Sequence, residues 1–329
     1  MKILALLSFL VIVVSPAYAV RPNILFILID DLGWMDLGCQ GSDFYQTPHI
    51  DQLAARGIRF INGYAACAVC SPTRAALMTG KDPARLGITD WIRAEFQLSG
   101  RQGPNCDVEG YHDANLKLLT PVNNSFLPHK EVTIAELLKQ RGFISCFIGK
   151  WHLGGEGYLP TDQGFDLNFG GWDYGQPPSY YDPYTNRRLQ QGIPTLEPKE
   201  TGEYLTDREA DEAVSFIKAN KDNRFLLYLS HYAVHTPIQP KLNILEKYQA
   251  LKDEMGQDNA AYATMVQSVD DSLGRIMATL SELGLSNDTL IVFTSDNGGL
   301  DRNGNPTENA PLKSGKGFAP EGGIRVPWI

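Results

Sequence analysis

The stretch NILFILIDDLG, residues 23–33, is the part of the sequence that decides the fold class. Its apolar run, 24–29, is continuous rather than alternating, which is typical of a strand buried on both faces of a sheet. The run stops abruptly at Asp30 and Asp31, which indicates a strand that ends in a polar loop. Similar apolar runs follow along the chain at 143–149, 225–232 and 289–295.

Helical patterns lie between these predicted strands, at 47–57, 132–142, 205–220 and 260–284. The last is the clearest, because its apolar positions keep to one face at helical spacing. A further strand is expected at 58–64, and long loops at 96–130 and 154–204. Helices that alternate with fully apolar strands predict an α/β fold, with a mostly parallel or mixed central sheet covered by helices on both faces.

Composition narrows the class of protein. With 329 residues, of which 43% are hydrophobic, the chain can bury a large core in one or two domains. Its formal charge of −9 argues against a general nucleic-acid or anionic-membrane binder. An anionic ligand would therefore need a local cluster of cationic side chains.

Residues 1–19 have the pattern of an export signal. Lys2 precedes an apolar run at 3–14, and Ala17-Tyr18-Ala19 gives a small-x-small cleavage site. A membrane anchor is the alternative, but the run is too short to span a bilayer comfortably, and no later stretch is apolar enough. We expect an exported protein, periplasmic or secreted, without stable membrane insertion.

Polar side chains collect after the predicted strands, where α/β sheets bind their ligands. They are Asp30, Asp31, Lys150, His152, His231, His235, Asp296 and Asn297. The aspartates and the asparagine offer hard oxygen donors, which suit Ca²⁺ or Mg²⁺. An aspartate after a strand can instead cap a helix, but two such clusters on separate strands favour a metal site.

The stretch CAVCSPTRAALMTG, residues 67–80, allows three interpretations. Cys67 and Cys70 could form a redox pair or half of a zinc site, or Cys70 alone could be an activated residue at a helix N-terminus. No second cysteine pair supports zinc, and Ser-Pro-Thr-Arg is unlike the sequence after a thioredoxin-type motif. Pro72 fixes the helix entry and Arg74 adds a permanent cation, so an anion would be stabilised there. This chemistry indicates phosphoryl or sulfuryl transfer at a metal and leaves the choice open.

The C-x-P-x-R core at residues 70–74 resembles that of the formylglycine-dependent sulfatases of the alkaline phosphatase superfamily. The similarity continues through GKWHLG (149–154), HTP (235–237), TSDNGG (294–299) and SGKGFAPEGGIRVP (314–327), in the family's order. It is closest to bacterial carbohydrate sulfatases and arylsulfatases. The resemblance implies an alkaline phosphatase-like sulfatase fold and hydrolysis of sulfate esters.

The resemblance also implies how the reaction proceeds. A formylglycine-generating or anaerobic sulfatase-maturating enzyme would oxidise Cys70 to formylglycine. One hydroxyl of its hydrate, activated by a single Ca²⁺, would attack sulfur, and the second would then release sulfate. The implied metal ligands are Asp30, Asp31, Asp296, Asn297 and modified Cys70. The implied catalytic residues, which act on the sulfate, the formylglycine or the leaving group, are Cys70, Arg74, Lys150, His152, His235 and Lys316. Lys313 is the less favoured alternative to Lys316, Cys67 is expected to be structural, and His231 is expected to pack beside the site.

The expected substrate is a sulfated carbohydrate, such as a galactose or N-acetylgalactosamine unit, or a small aryl sulfate. Aromatic residues at 170–184 would stack on sugar rings or, equally, pack on the domain. The alternatives are a phosphodiester or phosphonate ester hydrolase of the same superfamily, an inactive fragment, and a sugar-binding remnant. The family's pattern continues beyond 324–329, so we expect a catalytic domain at 20–329 that ends inside a core strand, without a C-terminal subdomain.

Overall fold

The structure is a computed structural model that describes residues 21–97, 111–112, 120–121, 123–251, 256–302 and 305–329. The strands are Asn23–Ile29 (β1), Tyr111–His112 (β2), Thr120–Pro121 (β3), Ile144–Gly149 (β4), Leu167–Phe169 (β5), Phe225–His231 (β6) and Thr289–Ser295 (β7). The α-helices are Pro48–Arg56 (α1), Cys70–Thr79 (α2), Pro83–Leu86 (α3), Ile134–Lys139 (α4), Leu205–Ala219 (α5), Leu245–Gln249 (α6), Ala260–Glu282 (α7) and Glu321–Ile324 (α8). Single 3-10 turns lie at Gly38–Gln40, Glu95–Gln97, Pro160–Gln163, Leu242–Ile244 and Ser286–Asp288.

Five strands form one sheet in the order β5-β4-β6-β1-β7, and every pairing in it is parallel. The predicted α/β class is therefore confirmed. β1 lies between β6 and β7, with Ile29 beside both His231 and Ser295. The residues that follow these three strands consequently meet at one edge of the sheet. β5 lies in the segment expected to be a loop. The sequence did not predict it, because three residues are too few to show a hydrophobic period.

Helices cover both faces of the sheet. Successive side chains of a strand point to opposite faces, so each strand contributes to two cores. Leu25, Ile27 and Ile29 of β1 belong to a large core that includes the buried faces of α5 and α7. Leu28 of β1 and Tyr228 of β6 belong to a smaller core on the other side, together with apolar residues of α2, α3 and α4. The predicted helices at 47–57, 132–142, 205–220 and 260–284 are confirmed as α1, α4, α5 and α7.

The predicted strand at 58–64 is wrong. Only Tyr64 forms a bridge there, an isolated antiparallel one to Arg325, while Ile58 and Ile61 remain 71% and 62% exposed. β-Branched and aromatic residues favour strands only where a partner strand pairs continuously with them. Here the Phe60 N–H donates to the Trp328 carbonyl and the Val326 N–H to the Gly63 carbonyl, but a turn at 61–62 interrupts the pairing.

The segment 324–329, expected to start a core strand, makes two isolated antiparallel bridges, Arg325 to Tyr64 and Trp328 to Thr294. Ile329 also exchanges backbone hydrogen bonds with Phe293 of β7. The predicted export signal at 1–19 lies outside the described residues. Within the described ranges, no helix has the length and apolarity that a membrane span requires.

Candidate active site

The candidate site lies at the carboxyl edge of the sheet, where four strands deliver polar side chains. Asp30 and Asp31 follow β1, and Asp296 and Asn297 follow β7; all four are buried. Lys150 and His152 follow β4, and His235 lies in the loop after β6. The parallel arrangement brings these sequence-predicted residues together; Asp31 and Asn297, for example, form a hydrogen bond although they are 266 positions apart along the chain.

Helix α2 adds Cys70 and Arg74 to this edge. Cys70 is the first helical residue, and Arg74 lies one turn later on the same face. The backbone N–H of Cys67 donates a hydrogen bond to the Thr73 hydroxyl, which in turn donates to the Cys67 carbonyl. Among the described cysteines neither Cys67 nor Cys70 is in a disulfide, and Cys67 contributes to the structure of the helix entry.

Arg74 is the buried centre of the hydrogen-bond network. Its Nε donates to Oδ2 of Asp296 at 2.8 Å, and one of its terminal nitrogens lies 3.7 Å from Oδ1 of Asp30. The other terminal nitrogen donates to the carbonyl of Lys150 at 2.6 Å and to the hydroxyl of Ser230 at 2.7 Å. Arg74 therefore ties the ends of β1, β4, β6 and β7 together. Burial lowers the pKa of Arg74, but Asp296 and Asp30 more than offset this and raise it above its usual value.

Lys150 lies beneath the site and binds a carboxylate. Its side chain is fully buried, and Nζ donates to Oδ2 of Asp30 at 2.6 Å. Burial raises the pKa of Asp30 well above its usual value, and the Lys150 ammonium opposes that shift. The lysine thus compensates a carboxylate that burial would otherwise disfavour.

Lys316, Asp31 and His235 form a second charged group, nearer to solvent. Nζ of Lys316 donates to Oδ2 of Asp31 and to Nε2 of His235, both at 2.8 Å. Burial opposes ionisation of Asp31, but Lys316 and His235 outweigh it, and the pKa of Asp31 falls below its usual range. Burial and Lys316 lower the pKa of His235 to about 3, so its imidazole is neutral at pH 7. A neutral ring that accepts at Nε2 must carry its proton on Nδ1, which lies 3.0 Å from the Thr236 carbonyl.

His152 is a second buried, neutral histidine. Burial, together with Lys150, lowers its pKa well below the usual value. Its Nε2 lies 2.6 Å from the Ile92 carbonyl and therefore carries the proton. Nδ1 is consequently a free acceptor, and it has no hydrogen-bond partner in the described part of the chain. His152 and Asp31, each just beyond a strand end, both have positive φ, as is common at functional sites.

The carboxylate cluster fits a divalent cation. Potential ligand atoms of Asp30, Cys70 and Asp296 lie within 4.8 Å of one another, as do those of Asp30, Asp31 and His235. Oδ1 of Asp30 and Oδ1 of Asn297 are buried acceptors without a hydrogen-bond partner among the described residues. Buried oxygen acceptors of this kind are costly unless a donor or a cation satisfies them. The donor set is rich in hard oxygens, as Ca²⁺ and Mg²⁺ prefer.

A cavity of about 490 Å³ opens above this cluster. Cys70, His152, His235 and Lys316 line it, whereas Arg74 and Lys150 do not. Sequence reasoning missed most of its wall, which comes from separate loops without a motif. The missed polar and aromatic lining residues are Trp91, Phe96, Gln97, Gln176, Asn186, Arg188 and Arg302.

The aromatic residues at 170–184 have mixed positions. Tyr180 and Tyr184 are fully buried in the large core, as the packing alternative expected. Trp172 and Tyr174 instead line a smaller cavity of about 280 Å³, which shares Phe96 and Leu189 with the main one.

Close backbone packing positions Lys316. A Cβ on Gly298 would lie 1.8 Å from the carbonyl oxygen of Gly322. The two backbone segments therefore approach so closely that only glycine fits at position 298. The Lys316 N–H donates to the Gly299 carbonyl at 2.9 Å, which fixes the lysine next to the end of β7. Lys313, the alternative weighed from the sequence, is exposed.

The fold and this site define a class of protein: an α/β domain that places buried carboxylates, suited to a cation, beside a cavity with cationic side chains at the carboxyl edge of a parallel sheet. Residues 22–329 match the family model described as Sulfatase, and the chain belongs to that family.

Three relatives illustrate the similarity. N-acetylgalactosamine-6-sulfatase of the dog, Canis lupus familiaris, is 34% identical over 329 residues, covering 94% of this chain and 56% of that protein. A sulfatase of Formosa agariphila is 31% identical, covering 94% of this chain and 63% of that protein. The crystal structure of Ps i-CgsB in complex with k-i-k-neocarrahexaose superposes with a TM-score of 0.74 at 33% identity, covering 94% and 65%. The chain thus spans just over half the length of the first of these curated relatives.

Proposed function

We propose that this protein hydrolyses sulfate esters of a sulfated carbohydrate, using one Ca²⁺ and a formylglycine made from Cys70. The observation that carries the proposal is the position of Cys70. It lies at the start of α2, lines the cavity, and has ligand atoms of Asp30 and Asp296 within 4.8 Å. Family membership supports sulfate as the ester.

In this proposal Asp30, Asp31, Asp296, Asn297 and the modified residue 70 hold the ion. A bound Ca²⁺ would supply positive charge that acidifies a hydroxyl on residue 70 and neutralises charge on the ester. Arg74 and Lys150 lie outside the cavity lining, where they hold the carboxylates of Asp296 and Asp30 in place and compensate their negative charge. Neither lines the cavity, so we assign both a positioning role.

The cavity-facing residues would handle the sulfate and the protons. The Lys316 ammonium, held between Asp31 and His235, is placed to bind an ester oxygen and to donate a proton to the leaving alcohol. His235 accepts from Lys316 and so fixes the direction of that donor. Nδ1 of His152 is a free acceptor beside the cavity, and we assign it the proton from the second hydroxyl of hydrated formylglycine.

The names of the relatives support a substrate class. The dog protein is named for N-acetylgalactosamine 6-sulfate, and the superposed crystal structure contains a neocarrahexaose. We therefore propose a sulfated galactose-type sugar as substrate, with small aryl sulfates as usable analogues. The proposal also includes export directed by residues 1–19 and maturation of Cys70 by a formylglycine-generating or anaerobic sulfatase-maturating enzyme.

The test uses protein produced together with a formylglycine-generating enzyme. Mass spectrometry of the peptide that contains residues 67–74 should show loss of the Cys70 thiol to an aldehyde, and 4-nitrophenyl sulfate should be hydrolysed. Cys70→Ala should abolish turnover but leave calcium binding, measured by calorimetry, mostly intact, because four ligands remain. Cys67→Ala is the matched control and should retain turnover.

Ordinary activity in Cys70→Ala would contradict the proposed nucleophile. Faster hydrolysis of 4-nitrophenyl phosphate or of bis-4-nitrophenyl phosphate than of the sulfate would move the assignment to a phosphoester. An unmodified thiol with no turnover would support the inactive-fragment alternative.

A further inference from the structure

The charge of the main cavity is opposite to that of the chain. The chain has a formal charge of −9, yet no aspartate or glutamate is among the described residues that line the 490 Å³ cavity. They do include Arg188, Arg302 and Lys316. Lys316 is already paired with Asp31, and it is assigned to the reacting ester. Two arginines are therefore left over that one sulfate ester does not require.

Both arginines are available for a ligand. Within the described ranges, neither guanidinium has an ion-pair partner, and both side chains are exposed. Arg188 is placed by an ordered turn, in which Oδ1 of Asn186 accepts from the N–H groups of Arg188 and Leu189 at 2.8 and 2.9 Å. Leu189 is buried in the core, so this turn is anchored to the domain. Arg302 donates its N–H to the Asn305 carbonyl in the loop after β7.

The adjoining cavity has the opposite charge. Its volume is about 280 Å³, and its described lining residues include two carboxylates, Glu95 and Asp173, but no lysine or arginine. An anionic group would be repelled there and attracted in the main cavity. A ligand with two anionic groups would consequently hold both of them in the main cavity.

We propose that Arg188 and Arg302 bind a second anionic group, a sulfate or a carboxylate, on the sugar whose ester is hydrolysed. A planar guanidinium matches the geometry of both oxyanions and can bind them through two parallel hydrogen bonds. The enzyme would accordingly select polyanionic sugars over sugars with a single sulfate. This inference rests on the proposed function for the identity of the reacting ester and names the substrate class more closely.

Binding to the Cys70→Ala protein in Ca²⁺ tests the inference without turnover. Calorimetry would compare N-acetylgalactosamine 6-sulfate, N-acetylgalactosamine 4,6-disulfate, and a chondroitin 6-sulfate disaccharide, whose second anion is a carboxylate. At least one two-anion sugar should bind about tenfold more tightly than the monosulfate. The preference should weaken as salt is raised, because the arginines are exposed. Which of the two sugars shows it identifies the second anion as sulfate or carboxylate.

The double variant Arg188→Ala/Arg302→Ala should lose this preference, and Arg188→Lys/Arg302→Lys should retain part of it. Arg187→Ala is the matched control, since Arg187 is an exposed neighbour that does not line the cavity, and the preference should persist. Equal affinity for all three sugars, no binding of any of them, or a preference that survives the double alanine variant would each overturn the inference. A persistent preference in a protein whose matured form hydrolyses no sulfate ester would instead contradict the proposed function alone.

Discussion

Replacing Arg74 by methionine should destabilise the protein far more than replacing an exposed arginine. The change keeps much of the side-chain length and removes the charge from a guanidinium that is 2% exposed. It would leave Asp296, which is fully buried, without the nitrogen atoms that lie 2.8 Å from its Oδ2. It also removes donors to the Lys150 carbonyl and to the Ser230 hydroxyl.

The expected size of the loss follows from the burial of the pair. Removing one partner of a buried, hydrogen-bonded ion pair costs about 3–5 kcal/mol, because the other charge stays buried without compensation. For a chain of 329 residues, whose unfolding entropy is roughly 0.7 kcal/mol/K, that corresponds to a fall in Tm of roughly 4–7 °C. Arg275→Met is the matched control: Arg275 pairs with Asp211, but the two side chains are 42% and 41% exposed. Such surface pairs contribute about 0–1 kcal/mol.

Urea unfolding of both variants in EDTA would measure this difference. The measurement is then repeated with saturating Ca²⁺. The gain in unfolding free energy from EDTA to Ca²⁺ should be larger for Arg74→Met than for the parent protein, because a divalent cation beside Asp296 replaces part of the missing charge. A loss in EDTA of less than about 1 kcal/mol, no larger than that of Arg275→Met, would refute the view that Arg74 holds the strand ends together.

Two further predictions concern the close packing of the motif glycines and the dependence of stability on pH. Gly298→Ala would place a methyl group 1.8 Å from the Gly322 carbonyl oxygen, so Tm and sulfate-ester turnover should both fall. Gly155→Ala is the control, because its Cβ would have its nearest neighbour at 3.6 Å, and it should change neither Tm nor turnover. Burial raises the pKa of Asp270 to about 6, so its contribution to stability is fully present below about pH 4 and is lost as pH rises through 6. Comparing the parent with Asp270→Asn by urea unfolding at pH 5 and pH 7 should show the parent losing about 1 kcal/mol relative to the variant between the two pH values. A pH-independent difference would contradict that assignment.

The sequence predicted which residues belong to the site because their position at strand ends is a local property. Asp30 and Asp31 after β1, and Asp296 and Asn297 after β7, could be identified from apolar runs that end in polar residues. A parallel sheet then brings such ends together whatever the order of its strands. Helical periodicity is likewise a local property, and the four long helical patterns were therefore predicted correctly.

Sequence reasoning failed where a neighbour in space decides the outcome. The segment 58–64 has strand-like composition, but a turn at 61–62 interrupts its pairing with 324–328, whereas β5 has a continuous partner but no detectable period. Lys150 and Lys316 are both lysines of glycine-containing motifs, yet one is buried under Asp30 and the other lines the cavity. Their different roles depend on how deeply each lysine is buried, and the amino-acid sequence does not show this.

By itself, the sequence determined the α/β class, the helix that presents Cys70, and the set of charged side chains at the carboxyl edge of the sheet. Local hydrophobic pattern and residue chemistry suffice for these features. Only the tertiary structure decided which charges pair with one another, and that Arg188 and Arg302 line one cavity with no ion-pair partner among the described residues. Coulombic pairing and cavity shape depend on distances between residues that are remote in the chain, and folding alone sets those distances.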